Sequence, residues 1–311
     1  MIGPARVSIT VPCYRNLAQA RRCVASILDQ SFTDFELTLL DDGASDEYRD
    51  YAAGLGDARV RYHRNLERLG AMANMFKALR SGDAEYTFAF HEDDLVGRGF
   101  LAAAVAILDR DPSCGFVAAR LREFKEEPSP AELAQAAASD AYDRLAAPVD
   151  LVRAILRGAE PMFGSVVYRR VALDGVVAAL DDYGPLVDRP FLMALMAHWS
   201  AALLHDPLVW YRHHPNHGRH EGMSADQIVR LFRLYRATLP QPLSREDRSL
   251  FYRYSGHWLF ALYELTPDHQ RPAFGRFLAR VWMEGLYQAR WRGRFGLRVL
   301  RQAVLGRRSS A

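Results

Sequence analysis

A short apolar run that ends in ionisable residues constrains this chain most. Residues 86–90 are aromatic, β-branched or small, which predicts a buried strand. One imidazole and three carboxylates follow directly, in His91, Glu92, Asp93 and Asp94. Carboxylates at the end of a buried strand repel one another and lose hydration, so they need a positive charge among them. Mg²⁺ or Mn²⁺ would supply it. The alternative is a solvated acidic loop after an ordinary strand.

Strand-like and helix-like segments alternate around this run. Strand patterns occupy residues 6–12, 35–40, 59–63 and 115–119, and helical spacing of apolar residues occupies 17–29, 70–80 and 100–108. This alternation indicates parallel βαβ units with both faces of the sheet covered. We therefore predict an α/β fold, with a mostly parallel sheet flanked by helices and a ligand site at the carboxyl ends of its strands.

Two further strand ends carry distinctive residues. Pro12, Cys13 and Tyr14 end the first predicted strand, and Asp41 and Asp42 follow the second. An aromatic ring, an acid and an acidic cluster at one sheet edge would suit the base, the ribose and the metal-bound diphosphate of a nucleotide. The chain contains neither a P-loop nor a G-x-G-x-x-G motif, so a glycine-rich phosphate cradle cannot be assigned, and a metal is favoured.

These motifs together resemble glycosyltransferase family 2. The resemblance covers residues 6–120 and is carried at matching spacing by 7–14, 26–32, 35–43 and 91–94. It implies the Rossmann-like GT-A fold, with inverting transfer from a nucleoside-diphosphate sugar, expected to be UDP-linked, and Mn²⁺ or Mg²⁺ as cofactor. By position it implies nucleotide-binding roles for Pro12, Tyr14, Asp42, Arg68 and Asp93. It also implies metal-binding roles for Asp94, Asp93 and His214.

Some of these assignments have alternatives. His91 stands where many family members have the first aspartate of the acidic motif, so the metal-binding role is divided between Asp93 and Asp94. A solvated loop arginine is an equally good interpretation of Arg68. His214 lies in a histidine cluster and matches a Tyr-Arg-x-His pattern of the family. A zinc site is disfavoured there because the cluster has no cysteine.

The resemblance also implies a general base in the second half of the chain. Asp188 takes that position at the start of an apolar helix, although Val187 replaces the glutamate that usually precedes it. The alternative is a helix-capping aspartate beside Pro190, and Asp182 is the reserve base. Gly164 would allow a close approach of the backbone to a ligand.

The segment 126–150 is rich in alanine, proline and acids. We expect a weakly amphipathic helix at 131–144 within it. The segment as a whole is interpreted as a mobile insertion over the site or, equally well, as a surface linker.

Composition limits the partners and the compartment. The net charge is only +3, and nearly all basic residues are arginine, which fits a GC-rich bacterial genome better than nucleic-acid binding. Three cysteines without metal spacing indicate a cytoplasmic protein. Residues 290–308 form a basic amphipathic segment. Peripheral docking to the inner face of the membrane and packing on the protein's own domain are both open for this segment.

We predict a catalytic domain at 1–222, with a nucleotide-sugar half at 1–120 and an acceptor half at 150–222, followed by a helical extension at 223–311. The expected function is metal-dependent sugar transfer to a hydroxyl of a glycan or glycolipid, in cell-surface polysaccharide or glycolipid synthesis. One alternative is a sugar nucleotidyltransferase, although residues 13–17 lack its glycine-rich basic loop. Another is a non-catalytic, degenerate transferase that serves as a binding module.

Overall fold

The structure is a computed structural model that describes residues 5–43, 45–174, 176, 181–213, 224–266 and 271–287. The chain divides into two compact units. Unit 1 comprises Met1–Ala147, Glu160–Ala178 and Phe191–His217, and unit 2 comprises Pro148–Ala159, Ala179–Pro190 and Gly218–Ala311. Two short segments of the predicted catalytic domain thus group with the C-terminal helices. The boundary between residues 222 and 223 stays a prediction.

The described strands all lie in unit 1. They are β1 (Val7–Cys13), β2 (Phe35–Asp41), β3 (Val60–Arg64), β4 (Tyr86–Ala89), β5 (Leu95–Val96), β6 (Cys114–Phe124), β7 (Tyr142–Leu145), β8 (Val166–Arg169) and β9 (Ser200–Arg212). The described α-helices are α1 (Leu17–Leu28), α2 (Glu47–Leu55), α3 (Ala71–Arg80), α4 (Phe100–Arg110), α5 (Pro130–Gln135), α6 (Pro148–Leu156), α7 (Arg170–Leu173), α8 (Asp188–Leu195), α9 (Ala225–Thr238), α10 (Arg245–Leu265) and α11 (Arg271–Met283).

The strands form one mixed sheet in the order β3-β2-β1-β4-β8-β6-β9-β5, with β7 paired to β9. The first four strands in this order are parallel, as the βαβ pattern predicts. Strand β8 runs antiparallel to both β4 and β6, whereas β6 and β9 are parallel. Because β1, β2 and β4 are parallel neighbours, their carboxyl ends meet at one edge. The chain leaves β1 towards β2 and later returns on its other side as β4, which makes this edge a topological switch point.

The core of unit 1 explains why these segments form strands and helices. Val7, Ile9 and Val11 of β1 are at most 1% exposed, because helices cover the sheet that contains them. Helix α1 faces this core with the apolar side that its 3.6-residue periodicity predicts, through Ala20, Cys23, Val24 and Ile27. Burial at about 25 cal/mol per Å² of apolar surface fixes which face of each element points inward. The position of the strand ends follows from that.

The predicted helix at 131–144 is confirmed only up to residue 135, and its predicted end is wrong. Helix α5 begins at a capping box in which the Ser129 side chain and Glu132 exchange hydrogen bonds, but it ends at Gln135. The chain then forms β7, which pairs antiparallel with β9. The apolar face of the segment is too weak to carry a longer helix, and β9 offers backbone partners that local sequence cannot reveal. Whether the segment moves over the site stays a prediction.

Unit 2 is helical in its described part. Ser224 caps α9 by accepting a hydrogen bond from the Gln227 N–H, and Ser244 caps α10 by accepting one from the Asp247 N–H at 3.0 Å. Asp247 also pairs with Arg153 of α6, at 2.9 Å. These caps satisfy the N–H groups that a helix leaves free at its start. No helix in the described ranges is long and apolar enough to cross a membrane.

Candidate functional site

The three predicted strand ends converge at one edge of the sheet. The Asp42 N–H donates to the Cys13 carbonyl at 2.9 Å, which joins the ends of β2 and β1. The Tyr14 N–H donates to Glu92 Oε1 at 2.9 Å, which joins the end of β1 to the acidic run after β4. Pro12 is half-buried at the end of β1. The residues predicted for base, ribose and metal thus follow three adjacent strands.

Asp42 anchors the loop that precedes α3. Its Oδ1 accepts hydrogen bonds from Asn65 Nδ2 and from the Leu69 N–H, both at 2.8 Å, and its Oδ2 accepts one from the Gly70 N–H at 2.8 Å. Burial by itself would raise the pKa of Asp42, but these three donors and the nearby Arg68 outweigh it and hold the pKa below its usual value. Gly70 has a φ of 84°, a left-handed conformation that favours glycine.

Tyr14 and Arg68 contact each other at the rim of this site. The Arg68 guanidinium carbon lies 4.5 Å from the centroid of the Tyr14 ring, and that of Arg15 lies at 5.1 Å. Such distances are typical of cation–π contacts. Arg68 is exposed, and the neighbouring Leu66 is fully exposed. The two residues predicted to meet the nucleotide therefore stack together on the open side of the strand ends.

His91, Asp93 and Asp94 form a cluster with the geometry of a metal site. Each offers a nitrogen or oxygen atom, and these atoms all lie within 4.8 Å of one another. His91 Nδ1 lies 3.0 Å from Asp94 Oδ2. Asp94 is only 2% exposed, whereas His91 and Asp93 are half-buried. Two carboxylates and an imidazole are a donor set that suits a divalent cation such as Mn²⁺.

The electrostatics of Asp94 fit this assignment. Its burial raises its pKa, and the nearby Asp93 carboxylate adds to the rise, while His91 and the Arg212 N–H oppose it. A bound cation would stabilise the charged form of this buried carboxylate, because its positive charge would offset the cost of burial and the repulsion from Asp93.

Arg212 of β9 holds the acidic run from the other side. Its backbone N–H donates to Asp94 Oδ1 at 2.8 Å, and its Nε donates to the Asp93 carbonyl at 3.0 Å. The guanidinium also pairs with Glu127. Arg212 was not among the predicted site residues, although the Tyr-Arg-x-His pattern that drew attention to His214 contains it.

Glu92 is a second residue that the sequence prediction left without a role. Its side chain accepts hydrogen bonds from the Tyr14 N–H and from the Tyr48 hydroxyl. Burial raises the pKa of Glu92 to about 7, a rise that these two donors oppose and the charges of Asp93 and Asp41 increase. Its place within the acidic run was visible in the sequence, but its buried partner on α2 was not.

Gly164 makes a close approach, but to a side chain of the cluster. A Cβ atom at this position would lie 2.9 Å from His91 Nδ1 and 3.3 Å from its Cε1. Gly164 lies in a short 3₁₀ turn that leads into β8, and β8 pairs with β4. The predicted contact with a ligand stays a prediction.

The predicted base, Asp188, lies within the described residues, whereas the predicted ligand His214 does not. Asp188 is the first residue of α8 and is 6% exposed. Its Oδ1 accepts hydrogen bonds from the Arg189 N–H at 2.9 Å and from the Arg189 guanidinium at 3.3 Å. Its role as a base stays a prediction. His214 and the side chain of Asp182 lie outside the described residues.

Comparisons with known sequences point to one family. The profile of glycosyl transferase family 2 matches residues 8–145. The Mycobacterium tuberculosis protein MT1568, described as uncharacterized, is 30% identical over 225 residues, which are 68% of this chain and 69% of that protein. WcaA of Escherichia coli, a putative colanic acid biosynthesis glycosyl transferase, is 28% identical over 90 residues, which are 28% of this chain and 32% of that protein.

Solved structures share the fold over most of the chain. S. aureus TarS 1–349 in complex with UDP-GlcNAc has a TM-score of 0.62 at 15% identity, over 97% of this chain and 91% of that one. The mannosyltransferase PcManGT from Pyrobaculum calidifontis, in complex with GDP-Man and Mn²⁺, has a TM-score of 0.54 at 17% identity, over 99% of this chain and 88% of that one. Together with the family profile, these findings identify the chain as a member of glycosyl transferase family 2, a glycosyltransferase with the GT-A fold.

Proposed function

We propose that this glycosyltransferase inverts the anomeric centre of a UDP-linked sugar and depends on Mn²⁺ or Mg²⁺. The observation that carries the proposal is the convergence of Tyr14, Asp42 and the cluster of His91, Asp93 and Asp94 at the ends of three parallel strands. A nucleotide needs an aromatic surface, hydrogen-bond acceptors and neutralisation of its phosphates, and this edge offers all three.

On the donor side, Pro12 and the Tyr14 ring line the base pocket in this proposal. Arg68 lies over the Tyr14 ring and would exchange that contact for one with the base or the diphosphate. Asp42 and Asp93 would accept hydrogen bonds from the base and the ribose. Three donors already hold the carboxylate of Asp42 in place, so it would meet the nucleotide without reorganisation.

The residues present fit a divalent cation. Asp93, Asp94 and His91 would hold it, and the family resemblance adds His214. When bound, the cation neutralises the diphosphate and stabilises it as a leaving group. Asp94 remains tied to the Arg212 N–H, which orients its second oxygen towards His91. This hydrogen bond to the backbone would keep the carboxylate of Asp94 in the same orientation when a cation binds.

On the acceptor side, Asp188 would remove the proton from the attacking hydroxyl as its oxygen bonds to the anomeric carbon. Attack from the face opposite the diphosphate inverts that carbon. The transition state carries oxocarbenium character, as in glycoside hydrolysis. Arg189 lies beside Asp188 and would fix the position of its carboxylate, which a base requires. The diphosphate needs no proton from a second acid.

The acceptor would be a hydroxyl of a glycan or glycolipid, in polysaccharide or glycolipid synthesis. The name of WcaA supports this class. The protein would act in the cytoplasm, with its basic C-terminus in peripheral contact with the inner face of the membrane. Trp282 and Met283 are 52% and 75% exposed at the end of α11, immediately before that basic segment. Their exposure offers an apolar contact for a lipid surface.

Calorimetric titration of UDP with and without Mn²⁺ or Mg²⁺ tests the proposal. We expect the metal to tighten UDP binding, Asp94→Asn to abolish that gain and Asp93→Asn to weaken it. Asp83→Asn is the matched control, because Asp83 is exposed and precedes the opposite end of the same strand. GDP, titrated in parallel, tests the choice of base. Equal UDP affinity with metal and with chelator would overturn the proposed metal dependence.

A further inference from the structure

The cluster of His91, Asp93 and Asp94 contains one imidazole beside two carboxylates. His91 contributes nitrogen to a site whose other two members contribute oxygen. We propose that His91 is a direct nitrogen ligand of the cation and that it makes the site select Mn²⁺ over Mg²⁺. This inference rests on the proposed metal dependence and specifies which ion serves it.

The distances allow direct ligation. Metal–ligand bonds to nitrogen and oxygen are about 2.1 Å long, so two donors on one ion lie at most about 4.2 Å apart. The donor atoms of His91, Asp93 and Asp94 already lie within 4.8 Å of one another. Closure by about half an ångström would bring all three to one ion, which side-chain rotation can supply.

The imidazole is held at the cluster by its surroundings. Gly164 leaves room for the ring, since a Cβ there would lie 2.9 Å from Nδ1. The Cys23 thiol donates to the His91 carbonyl at 3.3 Å. The His91 side chain is 31% exposed, while that of Asp94 is 2% exposed. The backbone of His91 is thus held in place while its ring is partly exposed, as a ligand requires. The ring of a histidine that only packs in the core would be buried.

The donor set explains the selectivity. Mg²⁺ prefers oxygen ligands in near-ideal octahedral geometry and gives up its waters reluctantly. Imidazole is a common ligand of transition metals, and Mn²⁺, although it stands at the weak end of their affinity order and also favours oxygen ligands, accepts a nitrogen ligand more readily than Mg²⁺ does. An aspartate at position 91 would give the cluster three negative charges, but His91 leaves it with two. The lower negative charge weakens the attraction of either divalent ion, and the nitrogen ligand offsets this loss more for Mn²⁺ than for Mg²⁺.

A competing role for His91 is to orient Asp94. Its Nδ1 lies within hydrogen-bond distance of Asp94 Oδ2, so the ring could position the carboxylate without touching the ion. The two roles differ in one observable. A nitrogen bonded to Mn²⁺ couples magnetically to the unpaired electrons of the ion, whereas a nitrogen one shell further out couples far more weakly.

Pulsed electron paramagnetic resonance of Mn²⁺ bound with UDP measures this coupling to ¹⁴N. We expect strong coupling in the wild type and in the control His63→Asp, which makes the same exchange at an exposed position on β3. His91→Asp should abolish it. His214 could give the same signal, so the comparison is repeated in a His214→Ala background.

Metal titrations give the second readout. The ratio of Mn²⁺ to Mg²⁺ affinity should fall about tenfold or more in His91→Asp, which is the usual scale for a changed metal environment. His91→Asn keeps the net charge and a similar size, so it tests the loss of nitrogen if the aspartate variant does not fold. Strong ¹⁴N coupling that persists in His91→Asn, or an unchanged affinity ratio in a folded variant, would overturn the inference.

The outcomes separate this inference from the proposed function. Mn²⁺ that binds and tightens UDP without strong ¹⁴N coupling refutes ligation by His91 and leaves metal dependence intact, with His91 orienting Asp94. Failure of Mn²⁺ to bind the wild-type protein with UDP refutes both.

Discussion

The exchange Asp42→Ala tests how the nucleotide side of the site is built. Asp42 has two possible contributions to nucleotide binding, a direct hydrogen bond and the anchoring of residues 65–70. Three hydrogen bonds of 2.8 Å would be lost, from Asn65 Nδ2 and from the N–H groups of Leu69 and Gly70.

The size of the effect follows from which donors water can reach. A hydrogen bond to a charged group contributes about 1.5–3 kcal/mol. Leu69 is 38% exposed, so water can replace the carboxylate at its N–H, whereas Asn65 is 7% exposed and its amide would lose a partner. We expect the free energy of unfolding to fall by about 3 kcal/mol, between one and two such bonds. UDP affinity should fall about tenfold or more.

The variant Asn65→Ala is the matched control. It removes one anchor of the same loop but keeps the carboxylate of Asp42, so it reports the contribution of the loop alone. Calorimetric titration of UDP and thermal unfolding are measured on both variants. An unchanged dissociation constant for UDP in Asp42→Ala would refute its assignment to the nucleotide site. An equal loss of affinity in Asn65→Ala would show that the carboxylate acts only through the loop.

The contribution of Asp42 to stability has a defined pH dependence. Because the folded state holds its pKa below the usual value, this stability is present above the unfolded pKa of about 3.9 and is lost as the pH falls through the folded pKa. The difference between wild type and Asp42→Ala should therefore shrink in acid. A difference that is constant from neutral pH into strong acid would contradict the anchoring role of the ionised carboxylate.

Three further predictions concern other parts of the chain. Asp188→Asn should keep the fold and the UDP–metal affinity but lower turnover by about 10² or more if Asp188 is the base; near-normal turnover would favour a helix cap, because asparagine caps as well as aspartate. The pKa of Glu92 is raised by burial from 4.5 to about 7, so this residue should lower the free energy of unfolding as the pH rises between these two values, by up to about 3 kcal/mol. Glu92→Gln should therefore raise the melting temperature more at pH 8 than at pH 5, and an equal change at both would contradict this. Removal of residues 290–311 should abolish co-sedimentation with anionic liposomes, which should also disappear at high salt; equal sedimentation with and without them would show that the segment does not dock.

Much of the arrangement of the candidate site could be predicted because its signals are local. The strands at 7–13, 35–41 and 86–89 are short apolar runs, and residues of the candidate site follow each of them within a few positions. Parallel neighbours place such ends at one edge, so the pattern of strands and helices sufficed to bring Tyr14 and Asp42 to the acidic run. The serine caps of α9 and α10 are equally local, since a cap and its partner are three residues apart.

The family assignment rests on the same property. Several motifs at matching spacing lie within the first 120 residues, and each is a few residues long. The second half of the chain offered fewer such motifs, so the role of Asp188 depends on a single matched position and stays a prediction. The helix predicted at 131–144 ends early for a related reason, because its helical pattern is weak and residues 142–145 instead pair as a strand with β9.

The sequence by itself determined the parallel half of the sheet, the ionisable residues at the ends of its strands and the serine-capped starts of α9 and α10. Each of these features is signalled by residues that are close together in the chain. Only the tertiary structure decided what surrounds the acidic run. Arg212 reaches Asp94 across 118 positions, and Gly164 meets the ring of His91 from the turn before β8. Antiparallel insertion of β8 beside β4 creates that second contact. Contacts between distant segments form when buried surfaces and backbone groups find partners, and no local periodicity encodes that choice.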